Sequence, residues 1–281
     1  MIGVEYMKIK SKKINVLIFA LLGLLTLTYL YPMYYMIINS FKTNTEYYYD
    51  KFALPKSWNL DNFKVMFSQF DILKYFGNSF LVAAGVVVFV TILSVLAAFG
   101  FSKLPFKGSS ALYLVMVMTM MVPAQVTVIP MYVMYAKFSL INTRHGIIIC
   151  YLATALPSAI MLLTANFRGI PNELIESASI DGCNYFQKIW HVIIPMGKTS
   201  LVLNAIFNFI WTWNDLFMPT VMLQKNEVKT VMVALSSLVT RYAKNPMLQL
   251  TGLLLCALPT LLIYCFCQKY IVKGVAMGAL K

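Results

Sequence analysis

A polar stretch interrupts an otherwise apolar sequence at Ile170–Pro195, where the chain reads IPNELIESASIDGCNYFQKIWHVIIP. Pro171 suits the first turn of a helix, because the N–H that proline lacks has no partner in that turn. Asp181-Gly182 predicts the end of this helix, since glycine readily adopts the left-handed geometry of a helix C-terminus. The first half of the stretch therefore predicts a helix followed by a tight turn.

A second helix is predicted directly after the turn. Asn184 can cap it, and Gln187, three residues later, completes a pair that resembles a capping box. Apolar residues then recur at i, i+3, i+4 and i+7 and so share one helix face: Phe186, Ile189, Trp190 and Ile193. We expect Pro195 to end this helix. A helix–turn–helix of this kind between membrane spans indicates a docking element for a partner protein.

The composition predicts an all-α polytopic membrane protein. Hydrophobic residues make up 60% of the chain, charged residues 12%, and the mean hydropathy is +0.73. A helix needs roughly 20 apolar residues to cross a hydrocarbon core of about 30 Å. The apolar runs are continuous rather than alternating, which excludes a membrane β-barrel. The sequence predicts six spans, at about 14–38, 77–101, 109–136, 145–167, 198–222 and 248–270. We expect them to form a single membrane domain over 1–281.

The orientation in the lipid bilayer is predicted from the basic residues before the first span. Four lysines precede it: Lys8, Lys10, Lys12 and Lys13. Its apolar run is longer than a signal-peptide core and has no small-residue cleavage site after it, so we expect a retained helix. The positive-inside rule then places the N-terminus in the cytoplasm. With six spans, the C-terminus and the polar loop 168–197 are cytoplasmic as well.

Several other functions are disfavoured by the residues present. Gly197-Lys198-Thr199 imitates the end of a phosphate-binding loop, but the position five residues before Gly197 holds Val192 and no strand precedes it. The net charge of +13 comes from basic residues that flank the spans, so it indicates no nucleic-acid partner. With two histidines in the chain, a zinc site is not expected. We expect no catalytic residues, no metal and no cofactor bound by this chain.

Polar residues within the spans are the candidates for a translocation pathway, because they are costly in hydrocarbon. The fifth span carries a stripe with helical spacing: Asn204, Asn208, Trp211 and Asp215. Amides, an aromatic ring and a carboxylate suit a hydroxyl-rich solute, but such residues also join helices by hydrogen bonds, and both interpretations remain open. Prolines at 123 and 130 predict a broken or kinked third span. The candidates are Gln125, Asn204, Asn208, Trp211, Asn214 and Asp215.

The polar loop resembles the "EAA" loop of permease subunits in binding-protein-dependent ABC importers. The matching residues are Glu176-Ser177-Ala178, Asp181-Gly182, Phe186, Ile189 and Ile194-Pro195. Ser177 and Cys183 replace alanines of the family pattern, and both are small. Two further motifs resemble the maltose-type carbohydrate branch of that family. One is Trp213-Asn214-Asp215-Leu216-Phe217, although Asp215 replaces a glutamate, and the other is the ending from Gln268 to Lys281.

The resemblance implies a type I ABC importer permease that translocates a sugar or oligosaccharide. It implies that the loop docks on an ATPase subunit through Glu176, Ser177, Ala178, Asp181, Gly182, Phe186, Ile189, Trp190 and Pro195. The implied partners are a second permease subunit, two ATPase subunits and an extracytoplasmic sugar-binding protein. ATP and magnesium would be bound in the ATPase, and the complex would lie in a bacterial or archaeal plasma membrane. The alternatives are a polyol or glycerol phosphate as solute, a stand-alone secondary transporter or channel, or a non-transporting membrane scaffold or sensor subunit.

Overall fold

The computed structural model describes residues 12–241 and 245–279, and within these ranges the chain is helical with no strand. The predicted all-α membrane fold is confirmed. Lys8, Lys10, Lys244, Leu280 and Lys281 lie outside the described residues.

The helices of the described ranges are, in chain order, α1 (Lys12–Ser40), α2 (Asn44–Tyr49), α3 (Asp61–Ser68), α4 (Ile72–Lys103), α5 (Ser109–Met118), α6 (Ala124–Lys137), α7 (Arg144–Arg168), α8 (Asn172–Ile180), α9 (Tyr185–Lys188), α10 (Ile194–Met196), α11 (Lys198–Asn214), α12 (Phe217–Met222), α13 (Val231–Arg241) and α14 (Pro246–Ala279). A 3₁₀ turn, Thr119–Met121, extends α5, and a π-helical turn, Ile189–Ile193, joins α9 to α10.

Four helical segments in the described ranges are long and apolar enough to cross a membrane: Asn15–Ser40, Ile72–Lys103, Arg144–Arg168 and Pro246–Val272. Two bent pairs bring the number to six if each pair is one span. In the first pair, Ser109–Met121 meets Ala124–Lys137 at 98°, and in the second, Tyr185–Met196 meets Lys198–Asn214 at 84°. The predicted spans therefore correspond to four continuous helices and two interrupted regions.

The third predicted span is broken, as its prolines indicate. Val122 is extended with ψ 114°, and Pro123 follows with ψ 133° before α6 begins. A proline disfavours the α conformation of the residue before it, which accounts for the break at this point. Pro130 lies inside α6 without ending it.

The fifth predicted span, 198–222, is not one continuous helix. Helix α11 ends at Asn214, Asp215 is extended with φ −70° and ψ 128°, and α12 begins at Phe217. The predicted helical stripe is therefore wrong at Asp215, which lies beyond the helix. Its carboxylate accepts a hydrogen bond from the Phe217 N–H at 3.0 Å, so it satisfies a backbone donor at the start of α12.

The chain divides into two compact units, residues 1–70 with 238–255, and residues 71–237 with 256–281. The single domain over 1–281 stays a prediction.

In the first unit, polar side chains fix the segment that follows α1. The Asn62 side chain donates to the carbonyls of Ser40 and Lys42, each at 3.0 Å. The buried Lys42 ammonium donates to the Asp50 carbonyl at 3.0 Å, and desolvation by burial lowers the pKa of Lys42. Thr43 begins α2 in a full capping box. The segment is thus ordered by its own hydrogen bonds.

In the second unit, α4 and α7 pack together around two apolar clusters, and α11 packs against both helices. The first cluster joins Val82, Val86 and Val90 of α4 to Ile147, Cys150, Tyr151, Ala155 and Ala159 of α7 and to Met218 and Met222 of α12. At the same end of α4, Asn78 donates to the carbonyls of Glu227 and Lys229, both at 2.9 Å, and accepts from Arg144 at 2.8 Å. These bonds fix segment 223–230 against α4 and α7.

The start of α7 depends on the absence of a side chain at Gly146. A Cβ there would clash with the carbonyl oxygen of Leu140 and lie 2.7 Å from the Thr143 hydroxyl, which caps the helix. We expect Gly146→Ala to lower the stability by about 1–3 kcal/mol, the usual cost of overpacking a rigid site. The measurement is the unfolding temperature of the purified protein in detergent.

The matched control is Gly77→Ala in α4, where the added Cβ has no neighbour within 4 Å. This variant should keep or raise the unfolding temperature, since alanine favours a helix over glycine by up to about 1 kcal/mol. Equal unfolding temperatures for the two variants would contradict the packing described at Gly146.

Candidate functional site

The loop between α7 and α11 has the predicted helix–turn–helix form. Helix α8 follows Pro171 and is closed at Asp181, and Gly182 then adopts φ +79°. Asn184 and Gln187 form a capping box in which each side chain accepts from the backbone N–H of the other, at 2.8 and 2.9 Å. The turn at Gly182 and the cap at Asn184 are confirmed, whereas Pro171 lies at the N-cap of α8, directly before the first turn in which it was predicted.

The end of the second loop helix differs from the prediction. Pro195 does not end it, because the helix continues through a π turn into α10 and stops at Gly197. Pro195 therefore lies inside a continuous helical run, directly after the π turn, and its missing N–H removes one intrahelical hydrogen bond there. π turns are rare and occur frequently at functional sites.

The apolar face of this helix divides into a buried half and an exposed half. Ile189 and Ile193 are buried in a second cluster with Phe99 of α4 and with Leu163 and Phe167 of α7. Phe186 and Trp190 are 73% and 68% exposed. The four residues that were predicted to share one face therefore have two different roles. The isoleucines hold the loop on the helices, and the aromatic rings are presented outward.

The exit of the loop is packed as closely as its middle. A Cβ on Gly197 would lie 2.8 Å from the Phe167 ring and 2.9 Å from the Ile193 carbonyl oxygen. The glycine that imitates a phosphate-binding loop in the sequence thus has a packing role, since it lets the chain turn by 84° into α11 against the Phe167 ring.

The entrance of the loop is tied to the end of α4. The Lys103 ammonium, from the last residue of α4, donates to the Ile170 carbonyl and to the Asn172 side chain, the latter at 2.8 Å. Within the loop, Lys188 donates to the Ser179 hydroxyl at 2.7 Å and so joins the second helix to α8. The loop is thereby connected to α4 by polar contacts and to α4 and α7 by apolar burial.

The exposed surface of the loop combines apolar and acidic groups. Its exposed apolar side chains include Ile180, Tyr185, Phe186 and Trp190. The predicted docking residues Glu176, Ser177, Asp181, Gly182 and Pro195 are also exposed, whereas Ala178 and Ile189 are buried. Within the described part of the chain, no cation pairs with the Glu176 carboxylate. Large exposed aromatic side chains, such as those of this loop, are typical of a protein–protein contact.

A cavity of about 810 Å³ lies within the second unit, among the 3₁₀ turn Thr119–Met121, α6, α7 and α11. Its volume is within the range of small-molecule sites. Of the predicted pathway residues, the structure brings three to its wall, namely Asn204, Asn208 and Trp211. Hydroxyl groups line it as well, from Thr119, Thr127, Thr154 and Ser158. The rest of the wall is apolar.

Three predicted pathway residues do not line this cavity: Gln125, Asn214 and Asp215. Asn214 donates to the Ile210 carbonyl at 2.8 Å on its own helix. The second oxygen of the Asp215 carboxylate accepts from the Tyr151 hydroxyl at 2.8 Å. Tyr151 in turn contacts the Trp211 ring edge-to-face, with 5.1 Å between ring centroids. Asp215 is therefore linked to the cavity residue Trp211 through Tyr151.

Sequence reasoning missed Lys103, Tyr151, Thr119 and Thr154. Thr154 and Ser158 are four residues apart on α7 and so share a face, a spacing that was available in the sequence. Lys103 and Tyr151 act through partners distant in sequence, for which no local signal exists.

The comparisons with known proteins agree on one family. Residues 90–276 match the family model described as "Binding-protein-dependent transport system inner membrane component". The chain is 30% identical to the "Diacetylchitobiose uptake system permease protein NgcG" of Streptomyces coelicolor, over 93% of this chain and 87% of that protein. It is 29% identical to the "Probable starch degradation products transport system permease protein AmyC" of Thermoanaerobacterium thermosulfurigenes, over 92% and 93% of the two chains.

Among solved structures, the fold is similar to a chain in the crystal structure of a bacterial ABC transporter involved in the import of the acidic polysaccharide alginate. The TM-score is 0.81 at 23% sequence identity, and the match covers 94% of this chain and 99% of that one. This likeness shows the fold of a type I importer permease.

The role of the hydrogen bonds between Lys103 and the loop entrance can be tested. We expect Lys103→Met, which keeps the aliphatic length and removes the donor, to increase amide hydrogen exchange in residues 170–180 by several-fold. A hydrogen bond from a charged donor contributes about 1.5–3 kcal/mol, and its loss leaves the Ile170 carbonyl without this partner. The measurement is hydrogen–deuterium exchange of the purified protein by mass spectrometry.

Lys107→Met is the matched control, since Lys107 is an exposed lysine in the connection that follows α4. Exchange in residues 170–180 that is the same in both variants would contradict a structural tie through Lys103.

Proposed function

The chain belongs to the family of binding-protein-dependent transport system inner membrane components, and from this membership we propose that it is a membrane-spanning subunit of an ATP-driven importer of sugars or oligosaccharides. It is a multi-pass integral membrane protein. The family match covers most of the chain, and the two relatives named above carry names that refer to uptake of diacetylchitobiose and of starch degradation products. A carbohydrate as solute is thus supported by relatives that align along nearly the full length.

One observation supports the proposal that a separate ATPase subunit, bound to the loop, drives transport through this chain. The loop over α8 to α10 is anchored on the helices by Ile189 and Ile193, while Phe186 and Trp190 are exposed. A surface of this kind suits insertion into a groove of an ATPase subunit, with the aromatic rings as anchors and Glu176 available to pair with a basic residue. The chain itself then needs no nucleotide, and ATP and magnesium are bound by the ATPase.

The remaining partners and the orientation follow from the same family membership. We propose a complex with a second permease, two ATPase subunits and an extracytoplasmic sugar-binding protein. The coupling loop and both termini would lie in the cytoplasm, and the complex would lie in the plasma membrane of a bacterium or archaeon. Lys8, Lys10, Lys12 and Lys13 before the first span support this orientation.

The transmission of movement would depend on the rigidity of the loop. Closure of the ATPase dimer moves the exposed rings, and the buried isoleucines carry that displacement to α4 and α7 because closely packed interiors transmit strain. Helix α11, which meets the loop helix at 84°, would move together with α4 and α7 because the turn at Gly197 joins it to the loop. The cavity beside α11 would then open alternately to the binding protein and to the cytoplasm.

A secondary transporter is a weaker explanation. It would require an acidic residue inside the membrane that is free to bind a coupling ion. Asp215, the acid predicted to lie within a span, already accepts hydrogen bonds from the Tyr151 hydroxyl and from the Phe217 N–H. Its carboxylate therefore serves the structure of the α11–α12 connection.

Substitutions at Gly182 test the coupling role without disturbing packing, because a Cβ there has no neighbour within 4 Å. We expect Gly182→Val to abolish ATP-driven uptake, since a β-branched residue resists the left-handed conformation at φ +79°. Gly182→Asn should retain uptake, because asparagine tolerates this region. The measurement is saccharide uptake by the complete complex in proteoliposomes, with membrane insertion checked in parallel.

Glu176→Lys should likewise abolish uptake, because it reverses the charge offered to the ATPase, and insertion should again be unaffected. Full uptake by both Gly182→Val and Glu176→Lys would show that the loop does not couple ATP hydrolysis to transport.

A further inference from the structure

The cavity wall has a chemical character that restricts which saccharide it can hold. We propose that the cavity of this chain binds a neutral, hydroxyl-rich saccharide unit directly and excludes uronates and phosphorylated sugars. This inference rests on the proposed function and names the class of solute.

The hydroxyl groups of the wall are all used as donors within the chain. Thr119 donates to the Met116 carbonyl at 2.6 Å, Thr127 to Ala124 at 3.0 Å, Thr154 to Tyr151 at 3.2 Å and Ser158 to Ala155 at 2.9 Å. A hydroxyl has one proton to donate and two lone pairs. With the proton committed to the backbone, each oxygen is left as an acceptor. The wall is therefore complementary to a ligand that donates hydrogen bonds, as sugar hydroxyls do.

One donor in the wall has no partner. Asn204 is 2% exposed, and its side-chain nitrogen has no hydrogen-bond partner among the described residues. Its oxygen accepts from the Asn208 side chain at 3.0 Å, and this bond fixes the amide. The Asn204 nitrogen has no accessible surface in the cavity, so Asn204 fixes the Asn208 amide and offers no donor to a ligand. The hydroxyl oxygens of the wall are therefore the polar groups that a sugar hydroxyl can reach.

An aromatic ring completes the surface. Trp211 is 45% exposed, and its position is held by the edge-to-face contact with Tyr151, which itself donates to Asp215. A fixed indole face offers a large apolar area at low entropic cost. The apolar C–H face of a pyranose ring can lie against it while the hydroxyls reach the polar groups.

The wall carries no charge among its described residues. A carboxylate or phosphate in the cavity would face the lone pairs of the hydroxyl oxygens with no cation to compensate. Burial of an ionised group without a partner is far costlier than burial of a neutral one. The cavity therefore differs in chemistry from a site for acidic saccharides, even though the fold is similar to that of an alginate importer chain.

The test is equilibrium binding to the complete permease–ATPase complex in nanodiscs, without the binding protein. The probes are maltose, cellobiose, lactose and xylobiose, together with cellobiouronic acid, in which one hydroxymethyl group of cellobiose is a carboxylate. We expect at least one neutral disaccharide to bind and the uronate to bind at least tenfold more weakly. Equal or tighter binding of the uronate, or no binding of any neutral probe, would overturn the inference.

Variants of this chain show whether its own cavity is responsible. Trp211→Ala and Thr154→Val should each weaken binding roughly five- to tenfold, and Trp211→Phe should restore most of the affinity. The control is Phe217→Ala, because Phe217 is 42% exposed but does not line the cavity. Assembly with the ATPase is checked for each variant. Affinities equal to the control would place the saccharide elsewhere.

ATP-driven uptake with the binding protein is measured on the same preparations. If the wild-type complex imports a saccharide while the cavity variants bind and import as the control does, only the inference about the cavity fails. If no saccharide is imported, the proposed function fails.

Discussion

The burial of Ile189 and Ile193 against α4 and α7 is the contact on which the coupling role of the loop depends. A polar loop that emerges from a membrane bundle has few apolar residues with which to hold its position. These two isoleucines and the close packing of Gly197 on Phe167 provide that fixation. Because the isoleucines already pack inside the chain, the aromatic residues on the other side of the same helix remain available to a partner. A loosely attached loop with the same exposed residues could bind a partner but would not transmit its movement.

The same division between satisfied and available groups occurs in the cavity. In the membrane interior, polar groups must find partners within the protein. The threonine and serine hydroxyls do so by donating to carbonyls of their own helices, and Asp215 does so at the break between α11 and α12. What remains is a set of acceptor oxygens and the face of Trp211. A neutral saccharide is complementary to this remainder.

Local signals in the sequence were sufficient for much of the fold. Continuous apolar runs predicted the spans, Gly182 predicted the turn, and Asn184 with Gln187 predicted the cap, since each feature depends on residues a few positions apart. The stripe through Asp215 was wrong because its carboxylate meets Tyr151, 64 residues away, and the chain leaves the helix there. The sequence also could not show that Ile189 and Ile193 are buried while Phe186 and Trp190 are exposed. Periodicity shows that residues share a helix face, but not how much of that face is covered by other helices. Lys103 could not be identified for the same reason, because the Ile170 carbonyl to which it donates lies 67 residues further along the chain.

The most direct test of the central claim is the composition of the complex that contains this chain. The chain would be purified from its native membranes in a mild detergent, and its companions identified and quantified by mass spectrometry. We expect stoichiometric recovery of an ATPase and a second permease, with a sugar-binding protein associated. Recovery of the chain alone, or only with copies of itself and without an ATPase, would contradict an ATP-driven importer and would remove the proposed role of the loop.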